Sequence, residues 1–277
     1  MKKWIVIIIC LVCAGCGTQL AYNNADWLAV RYIEGFVELT GDQQEMVKRR
    51  VRVFGQWHRE NELGLYISQI DTLTMMTPQS FTENDLERLQ SSIRERSRAM
   101  MQKAAPDVIV LTQSLSDEQV NEFLESVESK HKKRAKKLEK RSSEESRKIY
   151  SERITEATEQ WLGAVTDQQK QIISNWSNDI VGTSTEWVKY QTRLRNEMKL
   201  LLENRHNQMY FITHFNQLLY FPENYLSKTL KTKREKNFKI ANKYIVEIVQ
   251  SINEAQMKHL RNELNDWRAI IVDLQNG

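Results

Sequence analysis

His58 and Glu62 stand four residues apart in Trp57-His58-Arg59-Glu60-Asn61-Glu62, a spacing that puts an imidazole and a carboxylate on one helix face. Two such groups could begin a metal site. A zinc ion takes at least three protein ligands, however, and no HExxH or CxxC motif supplies the others. The spacing therefore predicts a hydrogen-bonded or salt-bridged structural pair. His206 and His214, eight residues apart, read as solvent or core positions. Met75-Met76 and Met100-Met101 offer thioethers of the kind that bind copper. They fall where helices are expected to end, and adaptable packing is the commoner use of methionine. Trp176 and Trp187 are eleven apart, about three turns, which predicts one shared face and core packing rather than an aromatic ligand platform. There is no GxSxG, no glycine-rich phosphate loop and no Cys/His dyad. No catalytic residue, metal site or cofactor is assigned.

The cysteines carry a different chemistry. All three, Cys10, Cys13 and Cys16, lie at the N-terminus, behind Lys2 and Lys3 and within or just after the apolar run from Trp4 to Ala14. A spanning helix needs about 20 apolar residues, so this shorter run reads as a secretory signal peptide over residues 1–15. Its end, Leu11-Val12-Cys13-Ala14-Gly15-Cys16, resembles a bacterial lipobox, with Cys13 where leucine is usual. A cut before Cys10 or Cys13 would leave Ile9 or Val12 at a position that needs a small residue. Cys16 is therefore the expected acylated residue. The mature chain, 277 − 15 = 262 residues, then keeps one cysteine and excludes an internal disulfide or a cysteine-based metal site. Loss of Lys2 and Lys3 lowers the formal charge from +4 to +2. Gly17 in place of aspartate, by resemblance to Gram-negative lipoproteins, implies sorting to the outer membrane. The expected setting is the cell envelope, the protein held by lipid on Cys16 with its body facing the periplasm. Nucleic acid is not a partner there.

The elements behind these residues are helical. The chain has 9 glycines and 3 prolines in 277 residues, far below typical usage of roughly 7% and 5%, which argues against sandwiches, barrels and loop-rich α/β folds. Leu39-Thr40-Gly41-Asp42-Gln43, Leu115-Ser116-Asp117-Glu118-Gln119 and Val165-Thr166-Asp167-Gln168-Gln169 each read as a capping box behind an apolar N′ residue. They predict helix starts at about 41, 117 and 167. Thr77-Pro78 is expected to end the first of these helices, and Thr82-Glu83-Asn84-Asp85 to start another. Ala105-Pro106 is expected to end that one, with Pro106 as the first residue of a short helix to about Gln113. Phe221-Pro222 marks the last clear break. Between Pro106 and Pro222 stand only Gly163 and Gly182 as breakers, which predicts a handful of long helices, some of them of roughly 35 to 50 residues. The expected fold class is all-α: an elongated bundle of long helices, as a single domain over 16–277.

One stretch lacks a core face. From Glu128 to Arg147 only Ala135 and Leu138 are apolar, so no apolar stripe can be drawn, and a polar basic helical segment is expected to project near 128–147. Within it, Lys130, Lys132, Lys133, Arg134, Lys136, Lys137, Lys140 and Arg141 face one glutamate, Glu139. Lys228 to Lys243 carries seven further Lys or Arg against Glu235. Two readings stand: a solvated helix paired locally with Glu144 and Glu145, or a contact surface for anionic lipid or lipopolysaccharide.

The opening after the lipobox cysteine, Leu20-Ala21-Tyr22-Asn23-Asn24-Ala25-Asp26-Trp27-Leu28, is distinctive. With Leu39-Thr40-x-x-Gln43, Trp57-His58-Arg59, Glu62-Leu63, Tyr66, Ala105-Pro106-Asp107, Leu115-Ser116-x-x-Gln119 and Trp161-Leu162-Gly163-x-Val165-Thr166-x-x-Gln169, it resembles an uncharacterised family of Gram-negative outer-membrane-type lipoproteins with a YNNxDWL opening. That family often has an acidic pair and a tyrosine near Glu34-Gly35-Phe36, and a proline where Gly64 stands. The resemblance implies an envelope location and a helical fold and names no activity. A weaker similarity, to periplasmic chaperones of the LTxxQ type, rests on the three capping boxes alone. The expected function is a non-catalytic binding or structural module, with anionic lipid, lipopolysaccharide or other envelope proteins as candidate partners; a holdase-like chaperone or stress adaptor is the alternative, and an envelope enzyme stands behind both.

Overall fold

A computed structural model describes residues 15–276 of the chain. The leader expected over 1–15 therefore lies almost wholly outside the described residues, as does the side chain of Cys16. Twelve α-helices and two 3-10 turns make up the described elements, and there is no strand among the described residues. The all-α class holds.

The chain divides into two compact units. The first comprises residues up to Met76, the segment 102–114 and the segment from Leu260 onward. It holds α1 (Gly15–Asn23), α2 (Ala25–Glu34), α3 (Gly41–Asn61) and α4 (Leu63–Thr74). To these it adds the tails of α5 (Glu83–Ser114) and α12 (Glu254–Asn276). The Thr40 hydroxyl accepts from the Gln43 amide, and the Gln43 side chain returns to the Thr40 amide, so α3 starts on the expected box. The tail of α5 runs antiparallel to α3. Gln43 Nε2 donates to the Ser114 carbonyl at 2.9 Å, Arg50 lies 3.4 Å from Asp107, and Lys103 sits 5.9 Å over the Trp57 ring. The tail of α12 runs antiparallel to α4, with Arg261 donating to the Thr74 carbonyl at 3.1 Å and Arg268 to Asp71 at 2.7 Å. Val30, Val37, Leu39, Val47, Leu63 and Leu264 are buried between these helices. Apolar burial of this kind, at about 25 cal/mol per Å², is what holds short helices together that would be marginal alone.

The second unit covers 77–101 and 115–259. It contains α6 (Asp117–Glu139), α7 (Ser143–Leu162), α8 (Asp167–Asp179), α9 (Ser184–Glu203), α10 (Gln208–Tyr220) and α11 (Lys228–Gln250). Helices α6 and α9 are antiparallel: Arg205 pairs with Asp117, and Arg195 lies 3.6 Å from Glu128. Helix α8 packs between α7 and α11, where Trp176 makes an edge contact with Tyr150 at 5.9 Å and stacks on Tyr244 at 6.2 Å. Phe211, Leu230 and Ile173 are almost fully enclosed.

Four expectations are corrected. The helix that starts at Gly41 does not run to Thr77-Pro78; it ends at Asn61, and a second helix, α4, follows from Leu63. Pro106 does not end a helix; α5 continues through it to Ser114. Proline removes only its own amide from the ladder, and Ala105 beside it is buried, so packing holds the helix together across the gap. The helices after Pro106 are also shorter than expected, none exceeding 23 residues. Ser142 and Asn207 cap new helices by accepting from the Glu145 and Tyr210 amides, at 3.0 and 3.2 Å. Polar caps thus break the run where no proline or glycine stands. Lastly, Trp176 and Trp187 lie on different helices, α8 and α9, and share no helix face. Gly163 acts as the sequence suggests: it ends α7 at φ +79°, in the left-handed region, and a Cβ there would sit 3.1 Å from His259.

Candidate functional site

The residues of the opening motif meet those of the Trp57-His58-Arg59 motif at one seam of the first unit. Tyr22, from α1, places its hydroxyl 2.9 Å from His58 Nδ1 and 3.3 Å from the Gly55 carbonyl, to which it donates. The other ring nitrogen, His58 Nε2, is 3.3 Å from the Tyr66 hydroxyl of α4. A neutral imidazole has one donor and one acceptor nitrogen, and two hydroxyls satisfy both. Burial pushes the His58 pKa down, which favours that neutral form. Burial also raises the Tyr22 pKa, while the Arg59 charge opposes it. Arg59 lies 5.2 Å over the Tyr22 ring and donates to Asn23 at 3.2 Å. Arg52 donates to Asp26 at 2.8 Å, and that hydrogen bond holds the Asp26 carboxyl below its usual range. The seam ties α1 and α2 to α3 and α4 through polar groups that answer one another.

His58 was expected to pair with Glu62. The helix instead ends at Asn61, and the ring nitrogens meet Tyr22 and Tyr66. Glu62 is buried at the junction of α3 and α4. The tyrosine partners were not identified from sequence: Tyr22 comes from another helix, and Tyr66 lies beyond the break at Glu62. Glu34 accepts from Gln44 of α3 at 3.0 Å. A Cβ at Gly64 would meet only Gln275 at 3.6 Å, an ordinary contact.

The capping glutamines do more than cap. Gln169 Oε1 accepts from the Thr166 amide at 3.0 Å, while its Nε2 donates to Ser251 at 3.1 Å and to Gln256 at 3.0 Å. Gln256 belongs to a fourth box, in which Asn253 caps α12, and it donates to the Ala164 carbonyl at 2.6 Å. Glutamate could cap in these boxes but could not donate across to the second helix.

The basic residues 130–141 occupy the end of α6 and the turn before α7. No residue from 128 to 157 is buried, as expected of a segment without a core face. Lys132 pairs with Glu128 at 3.2 Å and Arg141 with Glu145 at 3.8 Å. A shallow depression of about 380 Å³ is lined by Glu125, Glu128, Ser129, Lys132, Lys133 and Lys136, so carboxylates share the surface with the lysines. In the second basic stretch, on α11, Lys233 donates to Glu186 at 2.6 Å.

His214 Nδ1 lies 2.8 Å from the Tyr210 carbonyl of its own helix. Met75 ends α4 and is largely exposed, whereas Met100 and Met101 lie inside α5 and not at an end. Among the described residues no group of three or more His, Cys, Asp or Glu is placed to hold a metal ion, and no helix is long and apolar enough to cross a membrane.

No curated protein and no solved structure matches the chain. Residues 35–231 match the family described as "Family of unknown function (DUF6279)", and the chain belongs to that family.

Proposed function

For this member of a family of unknown function, we propose the role of a lipid-tethered envelope protein: the leader is removed, Cys16 is acylated, and the helical body works in the periplasm as a non-catalytic binding or structural module at the outer membrane. The observation that carries this reading is the lipobox itself, in which Cys16 alone of the three cysteines follows small residues, Ala14 and Gly15. The non-catalytic part draws support from the seam, where both nitrogens of His58 are engaged by tyrosine hydroxyls. The capping boxes, which would otherwise suggest an LTxxQ-type chaperone, serve as interhelix locks at Gln43 and Gln169.

The basic tip at 130–141 adds an electrostatic contact with anionic lipid or lipopolysaccharide, worth about 1 kcal/mol per Lys or Arg near such a surface and screened by salt. Labelling cells with radioactive palmitate tests the tether. Label should enter the wild-type chain and be absent from Cys16→Ser; continued labelling of the variant would remove the basis of the proposal. A holdase would be recognised differently, by salt-tolerant suppression of client aggregation.

A further inference from the structure

Helix α2 is apolar on two sides. Its inner side packs on α3, with Val30 buried and Asp26 and Glu34 joined to Arg52 and Gln44. Away from α3 it exposes Trp27 (52%), Leu28 (42%) and Tyr32 (48%), which spread over about 140° of the helix circumference. Arg31 lies between Trp27 and Leu28 around the helix, its guanidinium 5.6 Å over the Trp27 ring and 3.5 Å from Glu34, with which it pairs. Leu20 of α1, the preceding helix, is also 67% exposed. A surface helix normally turns polar residues outward; this one turns out two aromatic rings, a leucine and an arginine.

Resting on the lipid tether proposed above, we infer that this outer face of α1 and α2 docks in the interface of the membrane that holds the tether. Cys16 lies four residues before Leu20 in the same helix, about 6 Å along the axis, so the acyl chains would keep the face at the bilayer surface. Docking is then intramolecular, and even a small apolar area suffices at the resulting effective concentration. The chemistry fits that depth. Trp and Tyr rings favour the headgroup region, leucines reach the acyl boundary, and Arg31 extends its charge to phosphate. Four apolar side chains are too few for a second copy of the chain, since a stable interface takes about 20–30 residues a side.

The test uses the acylated chain purified from membranes and reconstituted in vesicles of phosphatidylethanolamine and phosphatidylglycerol. Its one cysteine being acylated, Leu28→Cys introduces a single thiol for an environment-sensitive fluorophore, and Val108→Cys, at a site 46% exposed on α5, serves as the control. The fluorophore at 28 should emit as in an apolar medium and be quenched by doxyl-labelled lipid at least about twofold more than at 108. Water-like emission at both sites in a chain that floats with the vesicles would overturn the docking and leave the tether standing. A blue shift without lipid quenching would mean that protein covers the face, and would also overturn it. Wild-type chain that neither takes up palmitate nor floats would overturn tether and docking together.

Discussion

His58 is the residue at which burial and hydrogen bonding together make a measurable statement. Its pKa is pushed down by burial, so the folded chain favours the neutral ring. The unfolded chain, titrating near 6.5, binds the extra proton first as pH falls. This contribution to stability is therefore complete above about pH 6.5 and is lost as pH drops from there through the lower folded value. The Tm of the wild-type chain should fall between pH 7.5 and 5.5, and His58→Gln should flatten that slope. A slope unchanged in the variant would remove His58 from the account. Carboxylates such as Asp26, held low by Arg52, lose their contribution at more acidic pH and do not blur this window. From sequence the imidazole was visible and its partners were not, because Tyr22 comes from 36 residues away and only packing brings it to the ring.

Helix starts were legible because capping is local. Thr40, Ser116 and Thr166 each find their glutamine three residues on. The second duty of Gln43 and Gln169 was not legible, since their side-chain amides donate to groups 71 and 82–87 residues distant. Thr166→Ala should cost about 1 kcal/mol of stability through the lost cap. Gln169→Glu should cost about 3 kcal/mol, because it keeps the cap, loses the donor to Ser251 and Gln256 and buries a carboxylate. Urea denaturation of both variants checks the order; a Gln169→Glu loss near zero would mean that Gln169 only caps. Helix ends were harder to read. Pro106 marked a stop that packing overrides, while Ser142 and Asn207 made stops that no breaker announced. The basic end of α6 carries its own prediction. Full-length protein in detergent should bind immobilised lipopolysaccharide at low salt, and replacing Lys132, Lys133, Lys136 and Lys137 by Gln should weaken binding at least about tenfold with helicity unchanged. Equal binding would reduce the segment to a solvated helix.

At the scale of the molecule, scarce glycine and proline were enough to read an all-α class. The division into two units was not, since each takes part of α5 and of α12 and no linker composition marks a boundary between them. The signal peptide proposed for residues 1–15 is read from composition and spacing alone. The proposed function and the proposed docking of α2 both depend on acylation of Cys16. The most direct measurement is the intact mass of the mature protein extracted from membranes, with fragmentation of its N-terminal peptide. The expected result is a chain beginning at Cys16 and carrying acyl lipid on that residue. A mature chain that begins elsewhere, or that begins at an unmodified Cys16, would contradict it.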